Sequence, residues 1–69
     1  MNNINLKKLG LNIRIARKAK HISQEKLAEQ ISKTRNYVGM VERAEINIPA
    51  SVLFEIATAL NVHPKTFWE

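Results

Sequence analysis

Apolar residues recur along the chain at intervals of three and four, and short polar clusters separate the runs. Leu6, Leu9, Ile13 and Ala16 fall on one helical face, with Leu11, Ile15 and Ile22 as a neighbouring stripe. The pattern predicts a helix from Leu6 to about Lys20, buried over a wide arc. Met1 to Asn5 precedes it and is expected to fray. Ser23, followed by Gln24, Glu25 and Lys26, has the form of a capping box, in which a hydroxyl accepts an orphan backbone N–H and a polar side chain three positions on answers it. A second helix therefore starts near Gln24, with Leu27, Ala28 and Ile31 turned inward. Ser32 and Lys33 leave room for only a bend. Thr34 is the next N-cap, and Tyr37, Val38 and Val41 give an apolar face to a third helix ending near Arg43. Pro49 suits the start of a fourth helix because its missing N–H is not needed there; Leu53, Ile56, Ala57 and Leu60 form the buried stripe, and Asn61 ends it in a left-handed conformation. His63 and Pro64 open a short last helix bearing Phe67 and Trp68. The expectation is an all-α fold: one compact five-helix domain over residues 1–69, with neither strands nor repeats.

Helices joined by so short a bend cannot pack along their lengths and must cross steeply. One of them is left with a face turned outward. With Arg35 at zero and roughly 100° per residue, Gly39 falls near 40°, Arg43 near 80°, Asn36 near 100° and Met40 near 140°. Tyr37, Val41 and Val38 take the opposite side, where the core lies. Each outward residue type has a use in a DNA major groove, which admits one helix. Arg35 suits a bidentate contact with guanine and Asn36 with adenine, while Met40 suits a thymine methyl. Gly39 lets backbone approach closely. Thr34 and Gln24, at helix starts, are placed for phosphate, and Thr34 also for a base edge. Polar helix faces are ordinarily just solvated. Gly39 and Met40 argue against that here, since glycine is a poor helix former and an exposed methionine a poor choice for solubility.

Charge sharpens the picture. The net charge is +5, but residues 1–43 carry +7 and residues 44–69 carry −2. A basic front half is the field that attracts phosphate, although a merely soluble basic surface has the same composition. There is no cysteine, which excludes disulfides and thiolate metal sites and fits a reducing bacterial or phage cytoplasm. No apolar run exceeds three residues, so neither a membrane span nor a secretory signal is expected.

The segment "SQEKLAEQISKTRNYVGMVERAEINIP" resembles the helix-turn-helix, here about residues 24–43, of the phage-repressor and Cro-like (XRE-type) transcription regulators. Ser23, Gln24, Leu27, Ala28, Thr34, Val38, Val41, Glu42 and Arg43 fall on matching positions of that pattern, and such a register is more specific than any single short motif. "YVGMVER" followed by "NI" is similar in particular to the controller proteins of restriction-modification systems. Three positions depart from the pattern: Ser32 and Ala44 stand where the family has glycine, and Lys33 stands at its buried turn position, from which its ammonium can extend toward phosphate. The resemblance implies a homodimer on a pseudo-palindromic operator in double-stranded DNA, with Phe67 and Trp68 at the dimer interface. It also implies a pair between Arg17 and Glu42 that ties the first helix to the recognition helix, with Arg17 still able to reach phosphate.

The expected contacts are therefore Arg35, Asn36, Met40 and Thr34 to bases, and Gln24, Arg17, Lys33 and Arg43 to phosphate. Glu45, which phosphate would repel, is expected to be solvated. No catalytic, metal or cofactor site is expected: His21 and His63 lack companion ligands, and Ser23 and Ser51 lack a base. A rival reading is an antitoxin-like module whose main partner is a protein, with DNA binding secondary. A membrane-surface role for the basic first helix conflicts with the use of its apolar arc in the core.

Overall fold

Helix starts follow the caps that the sequence supplies. The computed structural model describes residues 5–69 and, among them, four α-helices: α1 (Leu6–Ala19), α2 (Gln24–Gln30), α3 (Arg35–Glu42) and α4 (Ala50–Leu60). Asn5 Oδ1 accepts the N–H groups of Lys7 and Lys8 at 3.0 and 3.3 Å, so Asn5 caps α1 rather than fraying; residues 1–4 of the segment expected to fray lie outside the described residues. Ser23 Oγ accepts from Lys26 N–H and Thr34 Oγ1 from Tyr37 N–H, both at 3.0 Å. The capping box at Ser23 is only half made, because the ammonium of Lys26 has no lone pair with which to answer. Pro49 has extended backbone and is the N-cap of α4, one residue outside the helix proper.

The expected fifth helix is a single 3-10 turn, Pro64–Phe67, so the architecture is four α-helices and a closing turn. His63 Nδ1 caps the turn by accepting Lys65 N–H at 3.1 Å. Four residues are too few for a ladder of i to i+4 bonds, and the tighter i to i+3 pattern takes over: Thr66 N–H donates to His63 O at 2.9 Å and Trp68 N–H to Lys65 O at 3.1 Å.

All four helices stop in the same way. His21, Ser32, Ala44 and Asn61 each have φ between 57° and 61°, the left-handed region. After α3, Ala44 N–H donates to Val41 O and Glu45 N–H to Met40 O; after α2, Ser32 N–H donates to Glu29 O and Lys33 N–H to Ala28 O. This paired closure satisfies the last carbonyls and ordinarily uses glycine at the left-handed residue. Neither glycine of this chain serves there. Ser32 and Ala44, the two departures at which the expected pattern has glycine, hold the glycine conformation without glycine.

Ile13, Leu27, Val38, Val41, Ile56, Leu60 and Phe67 form the centre of the core, each no more than 1% exposed. Phe67 is fully buried, its turn packs against α1 and α4, and Asn12 Nδ2 donates to its carbonyl at 2.9 Å. Of the two residues expected at a dimer interface or closing the bundle, Phe67 thus lies in the core of the monomer. Trp68, the next residue, is 44% exposed. The buried arc of α1 is narrower than its apolar pattern suggested: Leu11 and Ile15 are more than half exposed. Part of the inward surface of α1 is given instead to Gly10 and Arg17, which face α3. A Cβ at Gly10 would lie 2.6 Å from Val41 O and 2.7 Å from Glu42 O, so α1 meets the end of α3 backbone to backbone. That close approach fixes the position of α3. No helix among the described residues is long and apolar enough to cross a membrane.

Candidate nucleic-acid interface

The lower edge of α3 is anchored by a buried ionic cluster. Arg17 Nε donates to Glu42 Oε2 at 2.6 Å and Nη2 to Glu42 Oε1 at 3.1 Å, while Nη1 donates to Ile22 O at 2.8 Å. Gln24 Nε2 completes the shell of Glu42, donating to Oε1 at 3.0 Å. The side chains of Arg17 and Glu42 are 8% and 3% exposed. Three elements therefore meet on one carboxylate: α1 through Arg17, the start of α2 through Gln24, and the end of α3 that bears Glu42. Bidentate geometry fixes orientation as well as distance. Two residues expected at phosphate also serve this cluster. Arg17 directs three of its five N–H groups into the protein, and Gln24, half-buried, directs its amide nitrogen at Glu42 rather than outward.

The outer side of α3 is open. Thr34, Arg35 and Asn36 are exposed and Met40 is half-buried; among the described residues the side chains of Arg35 and Asn36 make no hydrogen bond. Lys33 lies with its ammonium 5.1 Å from the ring centroid of the half-buried Tyr37, a cation–π distance. Two cations that sequence reasoning passed over, Arg14 and Lys18, line the same open cleft of about 520 Å³ as Gln24, Arg35 and Arg43. The signal was present in "RIARKAK", where residues 14 and 18 stand one turn apart on the exposed side of α1.

Two residues differ from their expected surroundings. Gly39 is buried rather than open, because the Arg43 guanidinium lies across it: a Cβ at position 39 would be 2.9 Å from Arg43 Nη1. Glu45 is not simply solvated. Arg43 Nε donates to its Oε2 at 3.0 Å and Nη2 to its Oε1 at 3.2 Å. The hydrogen bond from Arg43 holds the Glu45 carboxyl below the ordinary glutamate pKa, and the same bond raises that of Arg43.

A short capped helix, a bend closed by a left-handed residue and a second helix with an unoccupied polar edge define a helix-turn-helix protein. The family description "Helix-turn-helix" matches residues 13–67. The chain belongs to the helix-turn-helix family, among the repressor- and Cro-like transcription regulators. It is 45% identical over 53 residues to the control protein C.SmaI of Serratia marcescens, an alignment covering 77% of this chain and 63% of that protein, so the chain spans less than two thirds of that relative's length. The crystal structure of the restriction-modification controller protein C.AhdI from Aeromonas hydrophila superposes with a TM-score of 0.86 at 40% identity, over 90% of this chain and 94% of the other. A hypothetical transcription factor, NHTF, from Neisseria gives 0.87 at 38% identity, over 94% and 76%.

Proposed function

We propose that this protein is a sequence-specific double-stranded DNA-binding regulator of the restriction-modification controller kind, acting as a homodimer on a pseudo-palindromic operator. The observation that carries the reading is the open polar edge of α3, where Arg35 and Asn36 stand exposed with Met40 beside them. These are the side-chain types that read guanine, adenine and the thymine methyl in a major groove. Arg14 and Lys18 on α1 flank that edge with positive charge and join Lys33 as phosphate contacts, while Arg17 and Gln24 act mainly by holding α3 in place. Thr34, whose hydroxyl oxygen already caps α3, keeps its hydroxyl hydrogen for a base or phosphate oxygen. The similarity to C.SmaI and C.AhdI, named as control and controller proteins, supports the regulatory role.

One recognition helix of eight residues reads few base pairs, and a two-fold dimer doubles the site. Trp68, exposed at the end of the chain's last turn, is the apolar residue assigned to that contact, with Phe67 supporting it from within the core. The test is selection of bound duplexes from a random pool, followed by sequencing. A two-fold symmetric motif is expected, with binding that weakens steeply as salt rises. Arg35→Ala should cost about 1 to 3 kcal/mol on the selected duplex and relax preference at one base pair. A pool that yields no motif at low salt overturns the proposal.

A further inference from the structure

The Arg43–Glu45 fork is unexplained by stability. Both side chains are about half exposed, 56% and 50%, and pairs so exposed contribute little to folding. Ala44, with φ 61°, closes α3 as the other three helices are closed, and that closure turns Glu45 back beside the end of α3, where its N–H bonds Met40 O at 2.9 Å. Within α3, position 39 is glycine, which costs a helix interior about 1 kcal/mol relative to alanine. Any Cβ there would press on Arg43 Nη1. The closing turn thus brings Glu45 to the guanidinium, and the glycine clears the space in which its Nη1 lies.

That placement is unsuited to clamping phosphate. With a carboxylate 3.0 Å from Nε, the pair is close to neutral as seen from a phosphate, and the carboxylate itself repels one. Orientation is a different matter. Glu45 occupies the Nε–Nη2 side of the guanidinium, which leaves the N–H groups on the Nη1 end unused by it. This end lies over Gly39, in the middle of the face bounded by Arg35, Asn36 and Met40. Planar, paired N–H donors held in one direction are what discriminates the O6 and N7 acceptors of guanine. We infer that Arg43, braced by Glu45 across Gly39, reads a guanine in the groove instead of anchoring backbone phosphate, and that Glu45 is a positioning residue for that contact. The inference rests on the DNA-binding reading above.

The experiment is duplex selection and sequencing with the full chain, its Glu45→Ala and Arg43→Ala variants and the double variant, together with a salt titration on the wild-type motif. Arg43→Ala should abolish preference for G·C over the other pairs at one position. Glu45→Ala should lower discrimination at that same position about tenfold. It should also tighten binding to unrelated duplexes and steepen the salt dependence by about one phosphate contact, since the freed arginine becomes an ordinary cation. In the double variant the position should look as it does in Arg43→Ala alone. If the wild-type protein selects a motif and Glu45→Ala leaves every base preference intact, whatever it does to overall affinity, the bracing role is refuted while DNA binding stands. A wild-type protein that selects no motif removes both.

Discussion

Replacing Glu42 by alanine probes the ionic cluster that holds α3 against the rest of the fold. The side chain lost is 3% exposed and accepts three hydrogen bonds, from Nε and Nη2 of Arg17 at 2.6 and 3.1 Å and from Gln24 Nε2 at 3.0 Å. Alanine leaves the Arg17 charge buried, with Ile22 O at 2.8 Å as its remaining acceptor. Breaking a buried pair from one side costs about 3 to 5 kcal/mol, because the surviving charge is neither solvated nor compensated. A chain of 69 residues has a total stability of about 3 to 10 kcal/mol. The substitution should therefore remove a third or more of it and leave a weak folder mostly unfolded.

The attraction between the ions is distinguishable from the penalty for separating them. Arg17→Met with Glu42→Leu replaces both partners by apolar groups of similar volume and should lie within about 1 kcal/mol of the parent, although each single change is costly. Urea unfolding followed by far-ultraviolet circular dichroism gives the free energies. The loss in Glu42→Ala should be nearly the same at low and high salt, since buried pairs are little screened. A cost below about 1 kcal/mol, or one that vanishes in salt, would mean that the cluster behaves as an exposed pair and that Gly10 and the apolar contacts alone position α3.

The two glycines should respond oppositely to the same change. Gly39→Ala should raise stability by about 1 kcal/mol, as only the tip of Arg43 must move, while relaxing base preference; Gly10→Ala should lower stability by about 1 to 3 kcal/mol or more, because backbone carbonyls stand 2.6 and 2.7 Å from the new methyl, and thermal unfolding of both variants decides the matter. Ser32→Gly and Ala44→Gly should each stabilise by about 1 kcal/mol by relieving a left-handed residue, raising Tm by roughly 4 to 8 °C; an unchanged or lower Tm would place those residues in another conformation in solution. An NMR titration of the Glu45 carboxyl should give a midpoint below that of an ordinary glutamate. The pair contributes fully above the ordinary value and is lost as pH falls through the depressed one, whereas a midpoint at or above the ordinary value would show the fork open.

Helix beginnings were legible because a cap is a local event: the hydroxyls of Ser23 and Thr34 each bond a backbone N–H three residues on, within reach of pattern alone. Helix ends were harder. Sequence reasoning looks for glycine or asparagine at a stop and found Asn61, but His21, Ser32 and Ala44 take the same conformation without the expected residue type. Their strain is offset by packing elsewhere, which no local window contains. The stripe of Leu11 and Ile15 misled for a related reason: periodicity says that a face is apolar, not that a partner covers it.

The outer face of α3 was legible to the same degree and failed at the same kind of place. Helical geometry alone puts Arg35, Asn36 and Met40 on one side and Val38 and Val41 on the other, and both sets lie as that geometry requires. What it could not supply was how neighbouring side chains engage the ends of the helix. Glu42 draws in Gln24 and Arg17 from two other elements, so residues that look wholly free on a linear reading also hold α3 in place. Glu45, two residues after Arg43, is a repulsive carboxylate on any linear reading; only the left-handed turn at Ala44 brings it to the arginine's side. A helix of eight residues has too little helical stability of its own to hold a fixed pose, so its aim must come from outside, from the carboxylate at its end and the backbone contact at Gly10. Those are long-range arrangements, and they decide whether an exposed polar edge reads sequence or merely faces water.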